Sequence, residues 1–422
     1  MDILIRQPLL IDPTSPFHLQ KADLFISNGA IKKIGGEVPA TYDVLIEEPG
    51  LCVSPGWVDI FANFCDPGQE FKETLESGAK AAATGGYTDV FLIPNTLPVV
   101  HSKGAVEYIK QKNGSLPVNL HPVGAVTKNC EGATLSEMYD MHASGAIAFS
   151  DGIKSIQSAG LLLKALEYLK AIDKTIIQLP DNHSINPSGL MNEGIISTRL
   201  GLPGRPAIAE ELMIARDIEL VKYTGSKIHF TGVSTAKSIQ LIREAKAAGI
   251  QVSCSVTPYH LSFCDEDLQE YDTYLKVNPP LRTAADRTAL QDAVVDGTVD
   301  CIASHHLPHD TDAKIIEFEY AQYGMIGLQT AFAIVKTSVP QLSEERLVEL
   351  FCIAPRRLFQ LPAASIAEGE IASLTLFQPI TSWTFEKAHN ESRSANSPFF
   401  GKMLSGKPLG IIAKGEVFLN SY

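Results

Sequence analysis

The chain has 422 residues, room for one large domain and a smaller one, and its 45% hydrophobic and 20% charged residues with no low-complexity run are those of a globular protein. A net charge of -13 without any basic stripe excludes a nucleic-acid surface, which needs clustered Lys and Arg against phosphate. No apolar run approaches the ~20 residues of a membrane helix, and the start MDILIRQPLLIDP lacks the flank and cleavage site of a signal peptide, so a cytoplasmic protein is expected.

Residues 1–52 alternate apolar and polar, as in ADLFISNGAIKKIGG, the pattern of antiparallel strands and hairpins. Past the SPG turn at 54–56, short apolar runs alternate with helix-period segments. The strand candidates are Trp57–Phe64, Thr88–Ile93, Asn119–Gly124, Ala146–Ser150, Thr175–Leu179, Lys227–Thr231, Ile250–Ser255 and Val299–Ser304. Helical periodicity covers 70–84, 157–171, 207–224 and 235–248. Eight strands separated by helices predict an α/β fold, a (β/α)8 TIM-type barrel. The competing arrangement is an open doubly wound sheet, but a G-x-G-x-x-G turn after the first strand is missing. Beyond LPAA at 361–364 the alternating texture returns in EIASLTLFQP and GIIAKGEVFLN. The expected organisation is a barrel over 55–362 and a discontinuous small β-sandwich domain from 1–54 and 363–422.

Seven scattered cysteines (Cys52, Cys65, Cys130, Cys254, Cys264, Cys301 and Cys352) contain no C-x-x-C and read as reduced thiols, most of them small buried hydrophobes.

Several stretches carry a family pattern: DPGQEFKETLESGAKAAATGGYTDVFLIPNTLPV, LMNEGIISTRLGLPGRPAIAEE, GVSTAKSIQLIREAKAAGI, VTPYHL, KVNPPLR, DGTVDCIASHHLPH and SPFFGKMLSGKPLG. Together they resemble the barrel-type dihydroorotases of the amidohydrolase superfamily, almost end to end. The resemblance implies a site at the C-terminal ends of the barrel strands. It also implies zinc that polarises an amide carbonyl and supplies hydroxide for the interconversion of carbamoyl aspartate and dihydroorotate in pyrimidine synthesis.

This sequence departs from that pattern at the ligands. Where relatives carry H-x-H-x-R on the first strand, it has Phe61, Asn63 and Cys65. A phenyl ring has no lone pair to offer, an amide is a weak neutral donor, and losing the arginine removes the bidentate partner of a substrate carboxylate. Cys65 could bind a soft metal alone or be a buried thiol. Gln178 and Gly232 stand where relatives have histidines, and His305 stands at the aspartate that serves as ligand and general base. Asp151 alone keeps its family residue. The expectation is therefore no resident metal and no catalytic group, with Asp151 and His305 vestigial. Weak, adventitious zinc at that pair is not excluded. His305 and His306, as strand neighbours, should point apart, and His305 should hydrogen-bond to Asp151 across a metal-free cavity.

Asn95, Asn278, His309, Tyr323 and Gly324 match or lie near positions that contact substrate in relatives, and read as pocket remnants. Plainer roles also fit: the two asparagines satisfying loop backbone, and Gly324 permitting a turn. Three functional readings follow. The first is an inactive dihydroorotase-like pseudoenzyme, with aspartate transcarbamoylase as its implied partner and a homodimer as the usual state of relatives. The second is an active dihydroorotase or related cyclic amidohydrolase with an unusual site. The third is a non-catalytic ligand-binding module.

Overall fold

The computed structural model describes residues 1–39, 41–268 and 270–420. All eight strand candidates form. In chain order they are Trp57–Ala62, Tyr87–Leu92, Asn119–Gly124, Ala148–Phe149, Ile176–Gln178, Ile228–Phe230, Val252–Val256 and Cys301–Ile302, parallel and adjacent in sequence order. Tyr87–Leu92 is buried at every residue, as expected of a strand covered on both faces. The ends nearly meet: a parallel bridge joins Ala62 to His306, and the Asn63 N–H donates to the His306 carbonyl at 2.9 Å. The result is a nearly closed (β/α)8 barrel.

The helices begin where the sequence supplies caps. Thr74 accepts from the Ser77 N–H at 3.1 Å to start Leu75–Thr84, and Thr235 from the Ser238 N–H at 3.1 Å to start Ala236–Ala247. Each cap lies in the loop after a strand and so fixes the path of the chain at the barrel mouth. The loop after the eighth strand runs from Ala303 to the helix Ala331–Ser338 and carries His305, His306, His309 and Tyr323.

Strands from both ends of the chain share a five-stranded sheet: Glu416–Leu419, Met403–Ala413, Leu374–Thr384, Cys52–Pro55 and Leu9–Leu10, in that order. A four-stranded sheet of Ala30–Ile34, Leu24–Ser27, Asp2–Ile5 and Val44–Ile46 packs with it through Ile3, Ile26, Val53, Leu374 and Ile412. Trp57 joins sheet and barrel, its ring 4.8 Å from Phe332 and 5.2 Å from Phe377. Within 363–422, Phe385 and Phe399 leave the sheets and pack on Tyr259, Leu281, Met325 and Ile334 beside the barrel. That excursion carries Ser392 and Asn396 to the mouth.

All seven cysteines are free and buried. No helix among the described residues is long and apolar enough to cross a membrane.

Candidate functional site

Apolar side chains pack around the first-strand ligand position at the barrel mouth. Phe61 is fully buried with Val58, Ile60, Phe91, Ile93 and Ala303. The ladder between the first two strands slips between Asp59 and Ala62, just where Phe61 sits. Its ring stacks on His305 with centroids 4.2 Å apart and planes 24° from parallel.

His305 has a left-handed backbone (φ 45°), so it has left strand geometry. Its Nε2 meets Thr231 Oγ1 at 2.8 Å, and that oxygen already accepts from Ser255 Oγ at 3.0 Å. The Thr231 proton is therefore left for the imidazole lone pair, the same lone pair a metal would need. Burial, with His260 and His229 adding to it, pushes His305 down to about 3, so the ring is neutral. His229 extends the polar chain inward, bonding Ser253 Oγ at 2.8 Å and Ser255 Oγ at 3.0 Å.

The expected bond between His305 and Asp151 does not form. Asp151 Oδ1 accepts the Thr127 N–H at 2.9 Å and Oδ2 the Thr127 hydroxyl at 2.5 Å. Thr127 thus takes both carboxylate oxygens, and burial raises the Asp151 pKa. Gln178 turns outward to the helix Ile208–Thr224, donating to Asp217 Oδ2 at 3.3 Å and accepting from the Ile156 N–H at 3.4 Å. Gly232 sits at φ 68°, and a Cβ there would lie 2.8 Å from His305 Cε1 and 3.3 Å from Pro279 Cδ. The space a sixth-strand histidine would occupy is taken by His305 and Pro279.

Asn63 is spent on the loops, accepting the Cys65 N–H at 2.8 Å and donating to the Asn95 carbonyl at 3.3 Å. Burial pushes the Cys65 thiol up to about 12, which disfavours the thiolate a metal binds. Among the described residues no three His, Cys, Asp or Glu side chains converge. A catalytic zinc site takes three protein ligands and an open position, and this donor set does not fit one.

His306 does point away from His305. Its Nδ1 accepts from the Gly327 N–H at 3.2 Å and its Nε2 faces Glu73 Oε2 at 3.2 Å. Glu73 is fully buried and also accepts from Ser77, Ser392 and the Arg393 N–H. His309 donates Nε2–H to the Tyr323 carbonyl at 2.9 Å, and its N–H is held by Asn396 Oδ1 at 3.0 Å. Burial pushes its pKa down to about 4.

Asn95 does satisfy loop backbone, donating to the Asp151 carbonyl at 3.1 Å and accepting from the Ile153 N–H at 3.0 Å. Asn278 instead accepts from Arg205 at 3.2 Å, and Arg205 in turn binds Asp181 at 2.5 Å. Tyr323 donates to the Gly189 carbonyl at 3.2 Å. Gly324 has φ 118°, and a Cβ there would lie 2.6 Å from Leu307 Cβ.

Above the packed floor a cavity of about 390 Å³ opens at the mouth, lined by Asn63, Cys65, Asn95, His309 and Tyr323 among others. Phe61, Asp151, Gln178, Gly232, Asn278 and His305 lie outside it. Thr127, Thr231, Glu73, Arg205 and Asn396 set this geometry without having been singled out as site residues. Glu73 and Arg205 lie inside the family-like stretches and Thr231 ends the sixth strand candidate, whereas Thr127 and Asn396 carried no such signal.

A family model described as dihydro-orotase-like matches residues 50–238. The dihydroorotase of Pelotomaculum thermopropionicum is 38% identical over 422 residues, covering 99% of each chain. That of Syntrophus aciditrophicus is 38% identical over 423 residues with the same coverage. Among solved structures, the L-hydantoinase from Arthrobacter aurescens superimposes with a TM-score of 0.85 at 24% identity, covering 99% of this chain and 98% of that one. A D-hydantoinase from Thermus sp. gives 0.84 at 20% identity, covering 99% and 95%. At such identities these two likenesses establish the shared barrel fold.

Proposed function

From the premise that the chain belongs to the dihydroorotase-like family of the amidohydrolase superfamily, we propose that it is a member without catalysis that serves as a structural partner of aspartate transcarbamoylase. The observation that carries the inactive reading is the Phe61 ring stacked on His305 at 4.2 Å, carbon where a cation would have to sit. Hydrolysis or closure of an amide ring needs a polarised carbonyl and an ionised water. Here the surviving donors, Asp151 and His305, are committed to Thr127 and Thr231. The scaffold around them is intact, with eight strands and capped helices, as a protein retained for its surface would be. The choice of transcarbamoylase rests on the resemblance to the metal-free homologues that accompany that enzyme.

Metal content of untreated protein and a zinc-supplemented assay with carbamoyl aspartate and dihydroorotate test the inactive reading. Substoichiometric metal and no turnover are expected; near-stoichiometric zinc with turnover reverses it. Mixing with the transcarbamoylase of the same cell tests the partner, and two unchanged, separate species at micromolar concentration sink it. The second reading, an active dihydroorotase with an unusual site, is favoured by full-length identity to proteins that carry that name. The same assay decides between them.

A further inference from the structure

Two surface segments are tied to each other by buried lysines: the turn at 271–276 and the 311–323 part of the loop after the eighth strand. Thr273 Oγ1 donates to the Lys314 carbonyl at 2.6 Å. Lys314 Nζ donates in return to the Thr273 carbonyl at 2.9 Å and also to the Gln322 carbonyl at 2.6 Å. Lys276 Nζ donates to the Phe318 and Glu319 carbonyls at 2.7 and 3.0 Å. Both lysines are buried, so two ammoniums have left water to hold one loop in place.

What the loop presents is apolar. Ile315 is 71% exposed and Tyr320 66%, and Ile316 and Tyr271 are exposed as well. Ile315 directly follows the carbonyl that Thr273 binds, and Tyr271 lies two positions before Thr273, so both segments bring apolar side chains to one junction. None of the four lines the mouth cavity. Single exposed apolar residues are ordinary, whereas a group of them on a backbone held this firmly marks a docking surface. A loop ordered beforehand does not have to be ordered on binding.

The surrounding charge names the occupant. Asp312, Glu317 and Glu319 stand exposed on the loop, and Glu266, Asp267 and Glu270 on the chain leading into the turn. None of these six has an ion-pair partner among the described residues. The only cations on either segment, Lys276 and Lys314, are the buried ones. A second copy meeting this face across a two-fold axis would set the same carboxylates against themselves. Complementarity calls instead for lysine or arginine around an apolar centre.

We propose that residues 315–320 with Tyr271 form a docking surface for a different protein, whose facing patch is apolar and rimmed by Lys and Arg. The inference rests on the structural-partner reading above and deepens it, by naming where the partner sits and what it must present.

The test sets two probes against the full chain. One is the transcarbamoylase of the same cell. The other is a synthetic amphipathic helical peptide with a leucine face rimmed by lysine, beside a version rimmed by glutamate. Each is titrated calorimetrically into the parent, Ile315→Ser/Tyr320→Ser, Asp312→Lys/Glu317→Lys and, as an exposed control elsewhere, Ile380→Ser. Urea midpoints equal to the parent's show that the variants are folded. The lysine peptide should bind saturably and the glutamate peptide should not. Both double variants should bind the lysine peptide and the transcarbamoylase about tenfold more weakly, with the control unchanged. The surface is overturned by absence of lysine-peptide binding at millimolar concentration, by equal binding of the two peptides, or by double variants that keep parental affinity for either probe. A transcarbamoylase that does not bind, beside a lysine peptide that both double variants weaken, sinks the partner named above and leaves the surface standing, so the two failures are distinguishable.

Discussion

Truncating Phe61 to alanine tests whether the barrel mouth is packed as a core. The ring is fully buried, borders Val58, Ile60 and Ile93, and covers one face of His305 at 4.2 Å. Removing a buried aromatic costs about 3–5 kcal/mol, transfer and cavity contributions together, and the lost stacking on His305 falls within that range. Phe61→His is the informative companion. It keeps a flat ring but buries nitrogen without an arranged partner, which costs about 1–3 kcal/mol. It also brings the nominal donor set, with Asp151 and His305, to three. Urea unfolding of parent and variants, each with and without zinc, reads both effects as midpoint shifts at constant slope. The expected loss for Phe61→His is the same in either condition, because His305 Nε2 stays bonded to Thr231 and both Asp151 oxygens to Thr127. The reasoning is refuted if Phe61→Ala costs less than about 1 kcal/mol, the scale of a surface change. It is equally refuted if one zinc per chain restores Phe61→His to parental stability.

Asp151→Ala should cost about 1–3 kcal/mol through the unpaired Thr127 N–H and hydroxyl, and Asp151→Ala/Thr127→Val should recover part of it; equal loss in the double variant would contradict that pairing. Gly232→Ala places a Cβ 2.8 Å from His305 Cε1 at φ 68°, so a loss of about 1–2 kcal/mol from the left-handed backbone alone is expected, read as a lowered Tm. An unchanged Tm would mean that His305 yields freely. Removing the buried Glu73 carboxylate as Glu73→Ala strands His306, the Arg393 N–H and two serine hydroxyls and should cost about 3–5 kcal/mol, with proteolysis appearing first in the 385–401 segment.

The pH dependence follows from His229 and His305, both held near 3 by burial against about 6.5 in an unfolded chain. Between those values the unfolded state binds more protons, so stability falls as pH drops below about 6.5. Asp59 and Asp217, raised to about 6 by burial, bind protons in the folded state and oppose that fall between about pH 4 and 6. His305→Gln should therefore lose less of its urea midpoint between pH 7 and pH 5.5 than the parent; identical slopes would remove His305 from the account.

The eight strands and four of the helices were legible because backbone periodicity is local. The helix segments at 157–171 and 235–248 formed as Ala159–Lys170 and Ala236–Ala247, starting at Ser and Thr caps that any reader of the sequence can see. That Phe61 and Gly232 bring no donor atom was equally legible, since neither a phenyl ring nor a hydrogen atom has a lone pair in any fold. Strand ends were not. Val299–Ser304 shortened to Cys301–Ile302, because a ladder needs a neighbour, and His305 beyond it turns to φ 45°.

What the sequence settled by itself is therefore which donor atoms this barrel owns. Which of them are free was decided only in three dimensions. His305 met Thr231 across 74 positions and Asp151 met Thr127 across 24, and Asn396 reached His309 across 87. A side chain's partner depends on which strands close beside each other and how much room a neighbour leaves. In this chain two threonine hydroxyls and one backbone N–H claimed the lone pairs.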